Sequence, residues 1–353
     1  MTPANTPRFS LRPLQFGERN VAPLAPLRAG RSLDLSAFVL IGTWALLTPM
    51  AAFSWLGESR DYIEYLRYYA TIPSDLSFYD TRFEPGFHLV AWFFQSVLHL
   101  PFEYLVLTLV GTALGIKFYL FHRHLSHPLL AMVAYVITFY PTQEYTQIRA
   151  AVGLAFGYFA IHLFLQLKYL RGAALILLGF AFHSSTALLL LAYVGARTVK
   201  GNVMTVTIGI TLAIVYGFSS SLRTFIVDTF SGYNPLLRSY LENTIAIENL
   251  SILSINNLVL AMACAAAVAM GWYRMGRYHA TLLTMLISSL VLLVIFADAP
   301  MVGQRSKEVL FVSGVFLMHR APISEKTWLP VLIFWADAIL LFYLSLREGL
   351  ILS

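Results

Sequence analysis

Polar and charged residues are scarce in this chain, and several fall where an apolar environment should exclude them. Two arginines stand at the openings of apolar runs. One is in Ile148-Arg149-Ala150, after Tyr140-Pro141 and a polar stretch from Thr142 to Gln147; the other is in Gly303-Gln304-Arg305, with Glu308 as a partner about one turn on. A cation at a helix start opposes the helix macrodipole, so each needs a reason. Snorkelling is one. Phosphate binding is another, because the guanidinium fork matches phosphate oxygens, and two arginines so placed suit a diphosphate. Asp61, in Arg60-Asp61-Tyr62, and Glu84, in Glu84-Pro85-Gly86-Phe87, flank the first polar loop. Each reads as ordinary helix-start chemistry or as a carboxylate facing a substrate hydroxyl. His183, in His183-Ser184-Ser185, interrupts an apolar segment. It reads as a packing hydrogen-bonder or as an acid–base group, with an ordinary pKa of about 6.5. Tyr62, Tyr65 and Tyr69 recur at helical spacing, as an aromatic belt anchor, a sugar-stacking surface, or both.

These residues matter because of what surrounds them. The chain has 353 residues, of which 58% are hydrophobic and 12% charged, with a mean hydropathy of +0.69. Soluble domains carry roughly 25% charged residues, so the deficit is about twofold. A charge at the centre of a bilayer costs about 2.5–3.5 kcal/mol on the insertion scale, so it persists only when paired, near water or needed. Apolar runs approach or exceed the ~18–20 residues that span a bilayer core, and a spanning backbone must satisfy its own hydrogen bonds, so they should be helices. Porin-type alternation is absent, which argues against a β-barrel. The net charge of +6 sits in short clusters beside apolar runs, as topology determinants do, and does not point to nucleic acid. The single cysteine, Cys264, excludes an intrachain disulfide framework. No Cys/His metal spacing appears and no cofactor is expected.

The apolar segments run roughly over 35–56, 85–99, 102–121, 128–140, 148–167, 171–195, 202–218, 254–273, 280–297, 305–319 and 328–346. They predict an all-α polytopic transmembrane bundle of about 10–11 segments in a single domain over 35–346. Residues 1–34 are rich in arginine and proline and lack the apolar core of a signal peptide, so they read as a disordered cytoplasmic tail before an uncleaved anchor; 347–353 form a short tail. Lys168 with Arg171, Arg197 with Lys200, Arg274 with Arg277, and Arg320 with Lys326 also read as cytoplasmic. Loops of about 57–84 and 219–253 then fall outside, the first carrying an amphipathic helix on the membrane surface. The segment 171–195 is long, basic at both ends and polar at its middle. Two short helices meeting at a polar apex would return both ends to the cytoplasmic side. The front half does not close. With 57–84 outside and His122-Arg123-His124 cytoplasmic, the two runs between give the wrong parity, unless one is re-entrant or a break at Pro49 or Pro101 changes the count.

In order and spacing, Arg60-Asp61-Tyr62 with Tyr65, Glu84-Pro85-Gly86-Phe87, Ile148-Arg149-Ala150, Lys168, Phe182-His183-Ser184-Ser185 and Arg305 resemble EpsG-type membrane proteins, the Wzy-like polymerases of exopolysaccharide and O-antigen assembly. The likeness is best over about 55–195. Ser59-Arg60-Asp61 stands where the family often has Gly-Thr-Asp, and Ala150 where it often has Gln; the aspartate and both arginines are kept. The resemblance implies a fold similar to GT-C membrane glycosyltransferases in the bacterial inner membrane. It implies joining of oligosaccharide units carried on undecaprenyl diphosphate at the periplasmic face. Arg149 and Arg305 would hold the diphosphate, Asp61, Glu84 or His183 would orient or deprotonate the acceptor hydroxyl, and Tyr62, Tyr65 and Tyr69 would contact sugars. No metal or nucleotide is implied. Partners would be the lipid-linked saccharide, membrane lipid, and a chain-length regulator and flippase of the same pathway. Two other readings share these residues. An O-antigen ligase uses the same diphosphate chemistry with a lipid A acceptor. A flippase tends to show paired repeats with matching broken helices, and only one broken segment is evident.

Overall fold

A computed structural model of the chain describes residues 34–57, 59–75, 83–198, 254–296, 300–320 and 327–347. The expected tail before residue 34, the apolar run 202–218, the loop 219–253 and the residues after 347 lie outside the described residues. Every regular element among the described residues is helical. The helices are α1 (Leu35–Ala52), α2 (Arg60–Ala70), α3 (Pro85–Trp92), α4 (Phe102–His124), α5 (Pro128–Thr138), α6 (Ile148–Leu165), α7 (Tyr169–Phe182), α8 (Thr186–Thr198), α9 (Ile255–Ala269), α10 (Arg277–Ile295), α11 (Pro300–Met318) and α12 (Trp328–Arg347). Their starts follow local chemistry. Asp34 caps α1 by accepting from Ala37 N–H, and Ser59 caps α2 by accepting from Tyr62 N–H. Pro85 and Pro128 take first-turn positions, where a missing N–H costs nothing.

The chain is a polytopic helical membrane protein. Helices α1, α4, α6 and α10 are each long and apolar enough to cross a bilayer. Helix α6 lies deepest in the bundle. Helix α1 lies at its edge, turning Leu35, Phe38, Ile41 and Leu46 outward as a lipid-facing helix does.

Contacts between helix ends define two ends of the bundle. At one, which we call the basic end, the His124 ring at the end of α4 lies 4.7 Å from that of His162 near the end of α6. His162 Nε2 is 2.7 Å from the hydroxyl of Tyr278 at the start of α10. Arg320, just past α11, donates to the His124 carbonyl and lies over the Tyr278 ring. The cationic groups around Arg123, Lys168 and Arg320 therefore share one end of the bundle, as the charge bias required.

The opposite end resolves the parity conflict. Helix α3, continued by a π-helical turn over Phe93–Val97, does not cross. At its start Phe87 packs on Tyr65 of α2; beyond its end Leu100 O accepts from Tyr69 Oη of α2, 2.6 Å away. Trp92 Nε1 reaches Ser74 O at 3.0 Å, and Phe102, the first residue of α4, packs on Tyr62 and Tyr69. Both ends of α3 therefore lie against the single eleven-residue helix α2 and the residues just after it. So α4 starts beside α2 and is the one crossing between residues 84 and 125.

The segment 171–195 is broken as expected. Helix α7 ends at Phe182, His183 is extended, and α8 starts at Thr186. Gly172 of α7 packs under Phe164 at the far end of α6, and Gly179 lies against Gly153 near its start, so α7 and α6 are antiparallel. Thr186 then meets Gly153, Leu189 meets Gly157 and Tyr193 stacks on Phe164, so α8 runs back beside α6. Both ends of the hairpin are at the basic end and the His183 apex is at the other. Close backbone approach needs the glycines: a Cβ on Gly179 would sit 2.7 Å from Gly153 O.

Candidate functional site

Glu84, Arg149 and the His183 apex meet at the end of the bundle opposite the basic end. The Glu84-Pro85-Gly86-Phe87 motif accounts for itself residue by residue. Pro85 fixes the first turn of α3. Gly86 lets α3 lie on α7, since a Cβ there would meet Ala181 O at 2.7 Å. Phe87 tilts against Tyr65 and Phe83 at 5.5 Å from each. Glu84 makes no side-chain cap to its own helix. Its Oε2 instead accepts from Arg149 Nη1, and its Oε1 accepts from Ser184 N–H at 3.3 Å. One carboxylate thus joins the starts of α3 and α6 to the break between α7 and α8.

Arg149 is the second residue of α6. Its guanidinium carbon lies 4.6 Å from the Phe83 ring centroid, 5.5 Å from Tyr65 and 6.0 Å from Phe87. Its Nε donates to Tyr65 Oη at 3.4 Å. Ring quadrupoles attract such a cation, and planar guanidinium stacks on their faces. The penalty of a cation at a helix start is offset by Glu84 and the aromatic cradle. Burial holds the Tyr65 phenol above its ordinary pKa, so Tyr65 stays a neutral hydroxyl beside Arg149.

His183 Nδ1 accepts from Ser185 N–H at 3.2 Å and lies 2.6 Å from Ser185 Oγ. An accepting Nδ1 places the proton of the neutral ring on Nε2. Glu84, Arg149 and Arg305 all act electrostatically on His183, and Arg305 acts on Tyr65 as well. The apolar count expected Arg305 to open its helix, and it does not. Helix α11 starts at Pro300, which places Arg305 in its second turn. Glu308 accepts from Gln304 Nε2 at 2.9 Å and feels Arg305 through space. Asp61 lies in the first turn of α2, within electrostatic reach of Tyr65.

The tyrosines divide. Tyr65 touches Arg149; Tyr62 and Tyr69 are held against α4. Tyr62 donates to Ala52 O at 3.1 Å, Tyr69 to Leu100 O at 2.6 Å, and both rings are buried against Phe102. Their shared face fixes α2 to α4.

A second layer, which the sequence reading missed, holds the start of α6. The reversal from Phe139 to Gln147 is pinned by Tyr140 Oη donating to Leu47 O at 2.7 Å and Tyr145 Oη donating to Gly57 O at 2.6 Å. Beneath it Lys117 of α4 meets Glu144 at 2.5 Å, both fully buried. Tyr135 Oη lies 2.6 Å from Lys117 Nζ and 2.7 Å from Glu144 Oε1, and Gln143 Oε1 is 3.3 Å from Nζ. Deeper in α11, Lys307 donates to Asn257 of α9 at 2.7 Å and acts on Asp337 of α12. A lysine in the middle of an apolar run was the available signal, because such a charge must find a partner. Among the described residues no group of three or more His, Cys, Asp or Glu could hold a metal.

The model of the EpsG family matches residues 38–348, nearly the whole chain. No curated protein matches the chain, and no solved structure does.

Proposed function

The chain belongs to the EpsG family of Wzy-like polymerases, and from that premise we propose that it joins oligosaccharide repeat units carried on undecaprenyl diphosphate. The observation that carries this reading is the convergence of Arg149, Glu84, Tyr65, the His183 apex and Arg305 from five separate elements at the end opposite the basic clusters. With the basic end cytoplasmic, the site faces the periplasm across the inner membrane.

In the proposed reaction the hydroxyl oxygen of one unit attacks the anomeric carbon of another. The bond from that carbon to the diphosphate oxygen breaks, and its electron pair stays on the diphosphate. Arg149 and Arg305 bind this leaving group and stabilise the charge that develops on it, an effect worth about 10²–10³ in rate per preorganised donor. The acceptor proton passes to a carboxylate, Glu84 or Asp61. His183, with its proton on Nε2, suits donation to a phosphate oxygen better than proton removal. Tyr65 offers a neutral hydroxyl to the same region.

The test is the length of lipid-linked saccharide in a strain lacking the protein. The reading predicts single repeat units held on the lipid at the outer side of the membrane. Single units held at the inner side would make the protein a flippase. Full-length polymer left on undecaprenyl diphosphate would make it a ligase.

A further inference from the structure

We infer that Glu84 and the lipid diphosphate compete for one seat on Arg149, so that the carboxylate gives way when the diphosphate binds and helps expel it after transfer. The inference rests on the reading of Arg149 as a diphosphate ligand.

Both oxygens of Glu84 are spent on groups that serve a phosphoryl group equally well. Oε2 takes an Arg149 Nη1 proton and Oε1 takes the Ser184 N–H. A guanidinium fork and a backbone amide bind carboxylate and phosphate oxygens in the same geometry. Glu84 does not cap α3, so its own helix does not hold the carboxylate there. The pair is also reachable: the Arg149 and Glu84 side chains keep 17% and 20% of their surface. Arg149 does not depend on Glu84 for its place, because Phe83, Tyr65 and Phe87 cradle the guanidinium from other directions.

A diphosphate carries more charge than one carboxylate and draws on Arg305 too, whose field reaches Tyr65 and His183. Two anions cannot share one guanidinium edge at hydrogen-bond distance without strong repulsion. Exchange is therefore the outcome of binding. After transfer the same competition runs in reverse, and Glu84 retaking Arg149 speeds release of the spent lipid diphosphate.

The test is binding of farnesyl diphosphate and of inorganic pyrophosphate to the purified full chain in lipid nanodiscs. Glu84→Gln keeps the shape and removes the competing charge. It should bind farnesyl diphosphate about tenfold more tightly than the unaltered protein, a coupling of ordinary size between two ligands. A purely structural role for Glu84 would weaken binding instead. A larger gain for farnesyl diphosphate than for pyrophosphate marks a lipid-linked occupant; equal gains mark the phosphoryl groups alone as what is recognised, and either supports exchange. If Glu84→Gln binds no more tightly while Arg149→Ala loses binding, the inference is wrong and the reading of Arg149 stands. If Arg149→Ala binds as the unaltered protein does, that reading fails. Should Glu84→Gln not fold, carbodiimide labelling of the unaltered protein decides. Farnesyl diphosphate should increase modification of Glu84, and unchanged or reduced modification overturns the exchange.

Discussion

Lys117–Glu144 and Arg149–Glu84 are both cation–carboxylate pairs on the path into α6, and they are built in opposite ways. The first is sealed: neither side chain has any exposed surface, and Tyr135 and Gln143 supply the further hydrogen bonds. The second is open, with about a fifth of each side chain exposed and aromatic faces beside the cation. A sealed pair has no room for a ligand and gains most from mutual neutralisation, which suits a structural tie within the membrane. An open pair can trade one partner for another anion, which suits a site. The difference separates the residues that position α6 from the residue α6 presents.

The largest effect should come from breaking the sealed pair. Lys117→Met leaves the Glu144 carboxylate alone in an apolar interior, a loss of about 3–5 kcal/mol, and the protein should fail to accumulate in membranes. Lys117→Met with Glu144→Gln should restore most of that level; accumulation of the single variant at normal level would show that the pair ties nothing. Arg149→Lys should do the reverse, leaving the amount of protein unchanged and lowering polymer formed per molecule by about 10²-fold, because a point charge does not replace the fork. Gly86→Ala should fall between. Its Cβ meets Ala181 O, so α3 must shift and draw Glu84 from Ser184, with a stability loss of about 1–3 kcal/mol seen as a lower unfolding temperature and a partial loss of polymer. The smallest effects should divide the tyrosines. Tyr62→Phe and Tyr69→Phe each lose one hydrogen bond, about 1 kcal/mol of stability, with transfer per molecule unchanged. Tyr65→Phe should instead lower transfer several-fold with little change in stability; equal effects at all three positions would erase the distinction.

Much of this arrangement can be read along the chain because it depends on local chemistry. Among the described residues the apolar runs became helices, the tyrosine spacing became one buried face of α2, and the polar break at His183 became the apex of a hairpin. Glu84-Pro85 reads as a helix start and is one. The partners of these residues are not legible, because pairing is tertiary. Nothing near Glu84 in sequence points to Arg149 or to Ser184, 65 and 100 residues away. The same holds for Lys117, whose partner lies 27 residues on across a reversal. Apolar content also fails to separate a short helix from a crossing one, which is why α3 looked like a span until its two ends proved to meet α2. Helical spacing places Tyr62, Tyr65 and Tyr69 on one face but does not say what covers it; α4 covers two of them and Arg149 reaches the third.

The central claim is that Arg149 and Arg305 act on a diphosphate leaving group. Its most direct test is the saccharide ladder made by Arg149→Ala and Arg305→Ala proteins in a strain lacking the native copy, at matched amounts in the membrane. The account predicts that both variants leave single repeat units on the lipid, with little or no ladder above one unit. Normal ladders from both variants would contradict it.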